Sequence, residues 1–151
     1  MTDYKLLKSQ LEALTEDVTY LISNLSNAAA LIYNELENLN WAGFYIMREG
    51  KLMLGPFQGK TACTVIEVGK GVCGTAVIEN RTLRVPDVHE FPGHIACDSA
   101  SNSEIVIPIH KGDGSIFGVL DIDSPVLDRF SETDQKGLEG LVEIIEKLIS
   151  E

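Results

Sequence analysis

The chain has 151 residues, 44% of them hydrophobic, 23% charged and only 5 proline, which suits one ordered domain with its own core and excludes a two-domain enzyme or a disordered chain. Its 23 acidic and 12 basic residues give a net charge of −11, which repels phosphate backbones and anionic lipid, so neither nucleic acid nor a membrane surface is expected as a partner. No apolar run reaches the roughly 20 residues of a bilayer span, and the opening MTDYKLLKSQLEALTED is amphipathic, not a basic stretch followed by an apolar one, so a cytoplasmic protein is expected.

In chain order, Leu7, Leu11, Leu14 and Val18 recur at steps of three and four and predict a first helix from Tyr4 to Val18. Leu25, Ala28, Ala29, Ile32 and Leu36 predict a second, stopped by the polar cluster Asn38 to Asn40. The period then changes: WAGFYIMR and KLMLGPFQ read as two antiparallel strands joined by a tight turn at Glu49-Gly50. A short helix is expected near Gly71, because VCGTAVIEN does not alternate, followed by a strand TLRVPDV closed by Pro86. EIVIPIH (104–110) and SIFGVLDID (115–123) form a further hairpin about Lys111 to Gly114. Ser131 precedes Asp134 by three, a capping box with Asp in place of Glu, and Leu138, Leu141, Val142, Ile145 and Leu148 mark one face of a closing helix. The expected architecture is a single α+β domain spanning 1–151: a helical pair (4–38), a mostly antiparallel sheet with an active-site loop (41–123) and a closing helix (131–150), the terminal helices packed on the sheet. Val85 to Ser103 is its least regular stretch, and loops of that length are often functional.

Three cysteines, an odd number, do not suggest a structural disulfide framework, so any chemistry they have is reactive. Cys63, Cys73 and Cys97 lie ten and twenty-four residues apart, outside the spacing of zinc ribbons, and His89, His94 and His110 read as surface residues, so no metal is expected. Cys97 sits among Asp98, Ser99 and Ser101, where a core residue would have apolar neighbours, and so reads as accessible. Cys73 follows Gly71 at a helix start, where free amides and the helix dipole lower a thiol pKa. Local physics leaves the choice of nucleophile between these two open.

Asp121 and Asp123 are two apart on one strand and emerge from the same face. Hairpin pairing brings Glu104 to the same end, so three acids converge unless they are solvated strand ends. Trp41, the only tryptophan, shares a strand face with Gly43 and Tyr45, and a glycine between two aromatic rings leaves room for a small molecule.

The segments LNWAGFYI, GKGVCGTAV, RVPDVHEFPGHIACDSASNSEIVIPI and GVLDIDSPVLDRFSETD together resemble the GAF family of free methionine-(R)-sulfoxide reductases, over about residues 20 to 149. The glycine-rich turn, VPDV and F-S-x-x-D are common to GAF domains at large; the three cysteines and the DIDS run carry the narrower likeness. The resemblance implies reduction of free methionine sulfoxide with no cofactor, recycling through a disulfide reduced by thioredoxin, and a possible homodimer. It assigns the attacking thiolate to Cys97 and the resolving role to Cys63 or Cys73. Cys63, in a turn after Gln58-Gly59-Lys60, is favoured over a helix-fixed Cys73. It also assigns substrate binding to Glu104, Asp121 and Asp123, with Trp41 and Tyr45 as pocket wall. Such a reduction needs the departing oxygen protonated, so one carboxyl, Glu104 or Asp123, is expected as proton donor. The alternative is a stand-alone GAF module that senses a small molecule without catalysis.

Overall fold

The computed structural model describes residues 1–94 and 99–149. Two helices, α1 (Tyr4–Thr15) and α2 (Leu21–Glu35), lead into strands β1 (Trp41–Arg48), β2 (Lys51–Gly59) and β3 (Val65–Glu67). Helix α3 (Gly71–Glu79), strand β4 (Leu83–Val85) and a 3₁₀ turn at Val88–Glu90 come next. Strands β5 (Ser103–His110) and β6 (Ile116–Ser124) and helix α4 (Glu132–Leu148) complete the order. The six strands form one sheet, β3-β2-β1-β6-β5-β4, in which every pairing is antiparallel. The expected α+β layout is therefore present, with β3 and the 3₁₀ turn as additions too short to show a period.

Side-chain alternation decides which layer each residue joins. Ala42, Phe44, Ile105, Ile107, Ile109, Leu120 and Ile122 face one way and form a core with Leu7, Leu11, Leu25, Ile32, Leu138, Leu141 and Ile145 of α1, α2 and α4. The opposite face carries Trp41, Tyr45, Val106 and Val119, which pack with Val72, Cys73 and Ala76 of α3. Helix α1 is shorter than the apolar spacing suggests: it ends at Thr15, and Leu14 and Val18 are left exposed.

The Glu49-Gly50 turn has positive φ at both residues (52° and 79°), the left-handed pair that a two-residue hairpin demands. Pro56 is accommodated by a bulge: between Gly43 and Tyr45 the partner strand advances from Phe57 to Leu54, which absorbs a residue that cannot donate to the ladder.

The start of α4 is fixed by Asp134. Its carboxylate accepts from the Ser131 backbone N–H at 2.9 Å, from Tyr4 Oη at 2.6 Å and from Arg129 Nη1 at 3.1 Å, while its own N–H donates to Ser131 Oγ. Burial works against the charged form, but the bonds from Ser131 and Tyr4 and the Arg129 charge outweigh it and hold the carboxyl below the usual aspartate range. Asp134→Ala should cost about 2 kcal/mol in urea unfolding at neutral pH. Because the folded pKa is depressed, that contribution is complete above the unfolded value of about 3.9 and disappears as pH falls through the folded one, so wild type and variant should converge in acid.

Candidate active site

The site lies on the sheet face covered by α3. Register places Trp41 opposite Asp123 and Asp123 opposite Glu104, a row across β1, β6 and β5. The adjacent row sets Gly43 opposite Asp121 and Asp121 opposite Val106. Cys73, on the first turn of α3, packs onto this surface. The pocket is lined by these aromatic and acidic residues together with Cys73, His94, Thr61, Ala62, Ser101 and the chain from Lys70 to Val72.

Glu104 and Asp121 are each only 6% exposed, so neither is a solvated strand end. Burial first, and then the charges of Asp121 and Asp123, push the Glu104 carboxyl well above the usual glutamate range, and it shares hydrogen bonds with both aspartates. The shift favours the neutral acid, as expected of crowded carboxyls that cannot all ionise. Burial also raises Asp121, against hydrogen bonds from Glu104 and Cys73 and the charge of His94. Asp121 Oδ1 is buried and makes no hydrogen bond.

Cys73 is a free, buried thiol. Its pKa is raised, not lowered: burial dominates, and Asp121, Glu104 and Asp123 add to it. The expectation from the helix start fails because a dipole worth about 1 kcal/mol is outweighed by desolvation that shifts fully buried groups by several pKa units. Cys63, half-buried between β2 and β3, is disulfide-bonded. Cys97 lies outside the described residues.

Trp41 and Tyr45 do more than form a wall. Trp41 Nε1 donates to the Lys60 carbonyl at 3.0 Å and Tyr45 Oη donates to the Cys63 carbonyl at 2.9 Å, so both rings hold the loop that carries Cys63. Their rings stack at 5.9 Å, and Phe57 stacks on Trp41 at 5.2 Å. The space at Gly43 is taken up by Phe57 and the Trp41 ring, which a Cβ there would strike. It serves ring packing and not an opening between rings.

Of the histidines, His89 contacts Asn102 at 3.1 Å and His110 pairs with Glu146 at 3.1 Å. His94 lines the pocket and is half-buried, which corrects its reading as a surface residue. Burial, followed by neighbouring His89, pulls its pKa down. The sequence reading used the start of α3 only for its effect on Cys73 and not as a pocket contact; its first turn lines the pocket and has no side-chain cap. Its signal was the Gly69-Lys70-Gly71 run, which supplies a helix N-terminus without any Ser, Thr, Asp or Asn to close it.

The sequence pattern of the GAF domain matches residues 23–150. The chain is 51% identical to the free methionine-R-sulfoxide reductase of Escherichia coli (strain K12), over 97% of this chain and 88% of that one. Its fold superposes on fRMsr of Staphylococcus aureus in complex with substrate with a TM-score of 0.94 and 54% identity, covering 99% of this chain and 97% of that one. For the free methionine-R-sulfoxide reductase from Neisseria meningitidis, also in complex with its substrate, the TM-score is 0.92 at 44% identity, covering 96% and 87%. No helix among the described residues is long and apolar enough to cross a membrane. With likeness of this extent in sequence and backbone, the chain belongs to the GAF-domain family of free methionine-R-sulfoxide reductases.

Proposed function

We propose that this chain reduces free methionine-(R)-sulfoxide to methionine, with Cys97 as the attacking thiolate, Cys63 as the resolving thiol and thioredoxin as the reductant. The observation that carries the reading is the buried acid Glu104 held between Asp121 and Asp123 in the pocket. A sulfoxide accepts a thiolate productively when its oxygen is protonated as the S–O bond breaks, and a carboxyl kept neutral by burial supplies that proton. The Asp121 carboxylate, with its unpartnered Oδ1, suits an ammonium group. The uncapped amides at the start of α3 and Lys70 suit a carboxylate. Poles of both signs in one small pocket select the free amino acid over a methionine sulfoxide inside a peptide, whose amine and carboxyl are consumed in amide bonds.

In the proposed cycle the Cys97 sulfur takes the oxygen and becomes a sulfenic acid, while the sulfoxide gains two electrons and leaves as the thioether. The Cys63 thiol then condenses with the sulfenic acid, releasing water and forming a disulfide. A dithiol reductant exchanges with that disulfide and restores both thiols. The disulfide at Cys63 and the free thiol at Cys73 support Cys63 for the resolving role. Trp41 and Tyr45 hold the loop that carries Cys63 beside the pocket, which keeps a resolving thiol near the site. Homodimerisation and a cytoplasmic location belong to this proposal as well, carried by the family resemblance.

Steady-state turnover tests the reading: purified protein with thioredoxin, thioredoxin reductase and NADPH should consume NADPH with free methionine-(R)-sulfoxide. It should show at least a hundredfold lower kcat/KM with the N-acetylated, amidated analogue, because removing two charged contacts costs about 3 kcal/mol or more. Stoichiometric binding of methionine sulfoxide without NADPH consumption would favour a sensing module instead.

A further inference from the structure

The pocket holds a nucleophile that the proposed cycle leaves idle. Cys73 is a buried free thiol, and one ligand atom each from Cys73, Glu104 and Asp121 lie within 4.8 Å of one another. All three residues are more than nine-tenths buried. Asp121 lines the pocket, and its Oδ1 is buried there without a hydrogen-bond partner. We propose that Cys73, Glu104 and Asp121 form a binding site for a divalent cation of the zinc class inside the pocket, where it takes the carboxylate that the substrate's ammonium would use.

The donor set argues for the class of ion. A sulfur with two carboxylate oxygens suits zinc or cobalt, while magnesium and calcium prefer oxygen alone. Tetrahedral zinc with bonds of about 2.0–2.3 Å places its ligands about 3.5 Å apart. The observed spread closes to that with side-chain shifts of about 1 Å, within reach of a glutamate and a cysteine rotating about their own bonds. Water completes the fourth position. Binding is charge-balanced: the thiol and any protonated carboxyl release their protons to solvent as the metal bonds form, and a double positive charge offsets the crowding of three acids.

The claim that such an ion competes for the substrate's position rests on the reading under Proposed function, whereas the cation site does not. A titration of the oxidised chain separates the two, because Cys63 is then held in a disulfide and Cys73 is the free thiol among the described residues. Co²⁺ is the probe. One equivalent should bind with a thiolate-to-cobalt charge-transfer band, and Zn²⁺ should displace it. Cys73→Ser should abolish the band and weaken binding at least tenfold, and Asp121→Asn should weaken binding with the band retained at saturation. No saturable Co²⁺ binding, binding without a thiolate band, or a Cys73→Ser chain that titrates like wild type would each overturn the proposal. Absent turnover in metal-free protein would count against the proposed activity and leave this titration unaffected.

Discussion

Cys97→Ser should abolish methionine sulfoxide reduction, with a fall in kcat/KM on the order of a thousandfold or more, since no other group in the proposed cycle accepts the oxygen. The informative form of the experiment is a single turnover by pre-reduced protein with no reductant present. Wild type should release about one methionine per chain, Cys97→Ser none, and Cys63→Ser the same first methionine followed by a halt, because its sulfenic acid has no partner. The buried, acid-facing thiol of Cys73 is a poor nucleophile by local electrostatics: its pKa is raised by burial and by Asp121, Glu104 and Asp123, so little thiolate is present at neutral pH. If Cys97→Ser still gave one methionine per chain and Cys73→Ser gave none, the nucleophile would be Cys73, and its surroundings would have to change on substrate binding.

The second large effect is expected at the carboxyls. Glu104→Gln keeps the size and removes the donated proton, so the loss should fall on kcat, about a hundredfold to ten-thousandfold. Asp121→Asn removes the charge offered to an ammonium group and should fall mainly on KM, by about tenfold or more. The pH dependence has a defined sign. Glu104 is raised well above the usual range by burial and then by its two neighbours, so the wild-type rate should hold through neutral pH and fall on the alkaline side as this acid ionises. Glu104→Gln should flatten that limb. Stability moves the same way: a raised folded pKa contributes stability that is complete below the unfolded value of about 4.3 and is lost as pH rises through the folded one. The amide should therefore be the more stable protein in alkaline buffer while being the poorer enzyme, a separation that a purely structural role for Glu104 would not produce.

What the sequence revealed of this site depended on period and hairpin arithmetic. Two-residue spacing put Asp121 and Asp123 on one face, and the Lys111 to Gly114 turn brought Glu104 to the same end. The exact pairing was not legible: an unbroken ladder flanking that turn would set Glu104 opposite Asp121, whereas His110 pairs with Ile116 and an irregularity between Ile109 and His110 sets Glu104 opposite Asp123. The capping box at Ser131 was equally legible, because its hydrogen bonds join residues three apart. Cys73 was not, since its pKa is raised first by burial under the sheet and then by acids 31 and 48 positions away on β5 and β6. A local feature, the helix start, pointed the wrong way. The same distance hid the polar ends of Trp41 and Tyr45, which bond carbonyls 19 and 18 residues further along. Leu14 and Val18 failed for a different reason: their spacing is helical, but the helix ends at Thr15, and nothing in an apolar stripe records where its partner surface ends.

The proposed cycle stands or falls on a thiol-to-sulfoxide transfer within one chain. The most direct measurement mixes pre-reduced protein with one equivalent of free L-methionine-(R)-sulfoxide, without thioredoxin, and follows methionine release alongside mass-spectrometric mapping of all three cysteines. The expected result is about one methionine per chain, with Cys63 and Cys97 joined in a disulfide and Cys73 recovered as a free thiol. Release of no methionine, with all three thiols unchanged and the sulfoxide merely bound, would contradict it.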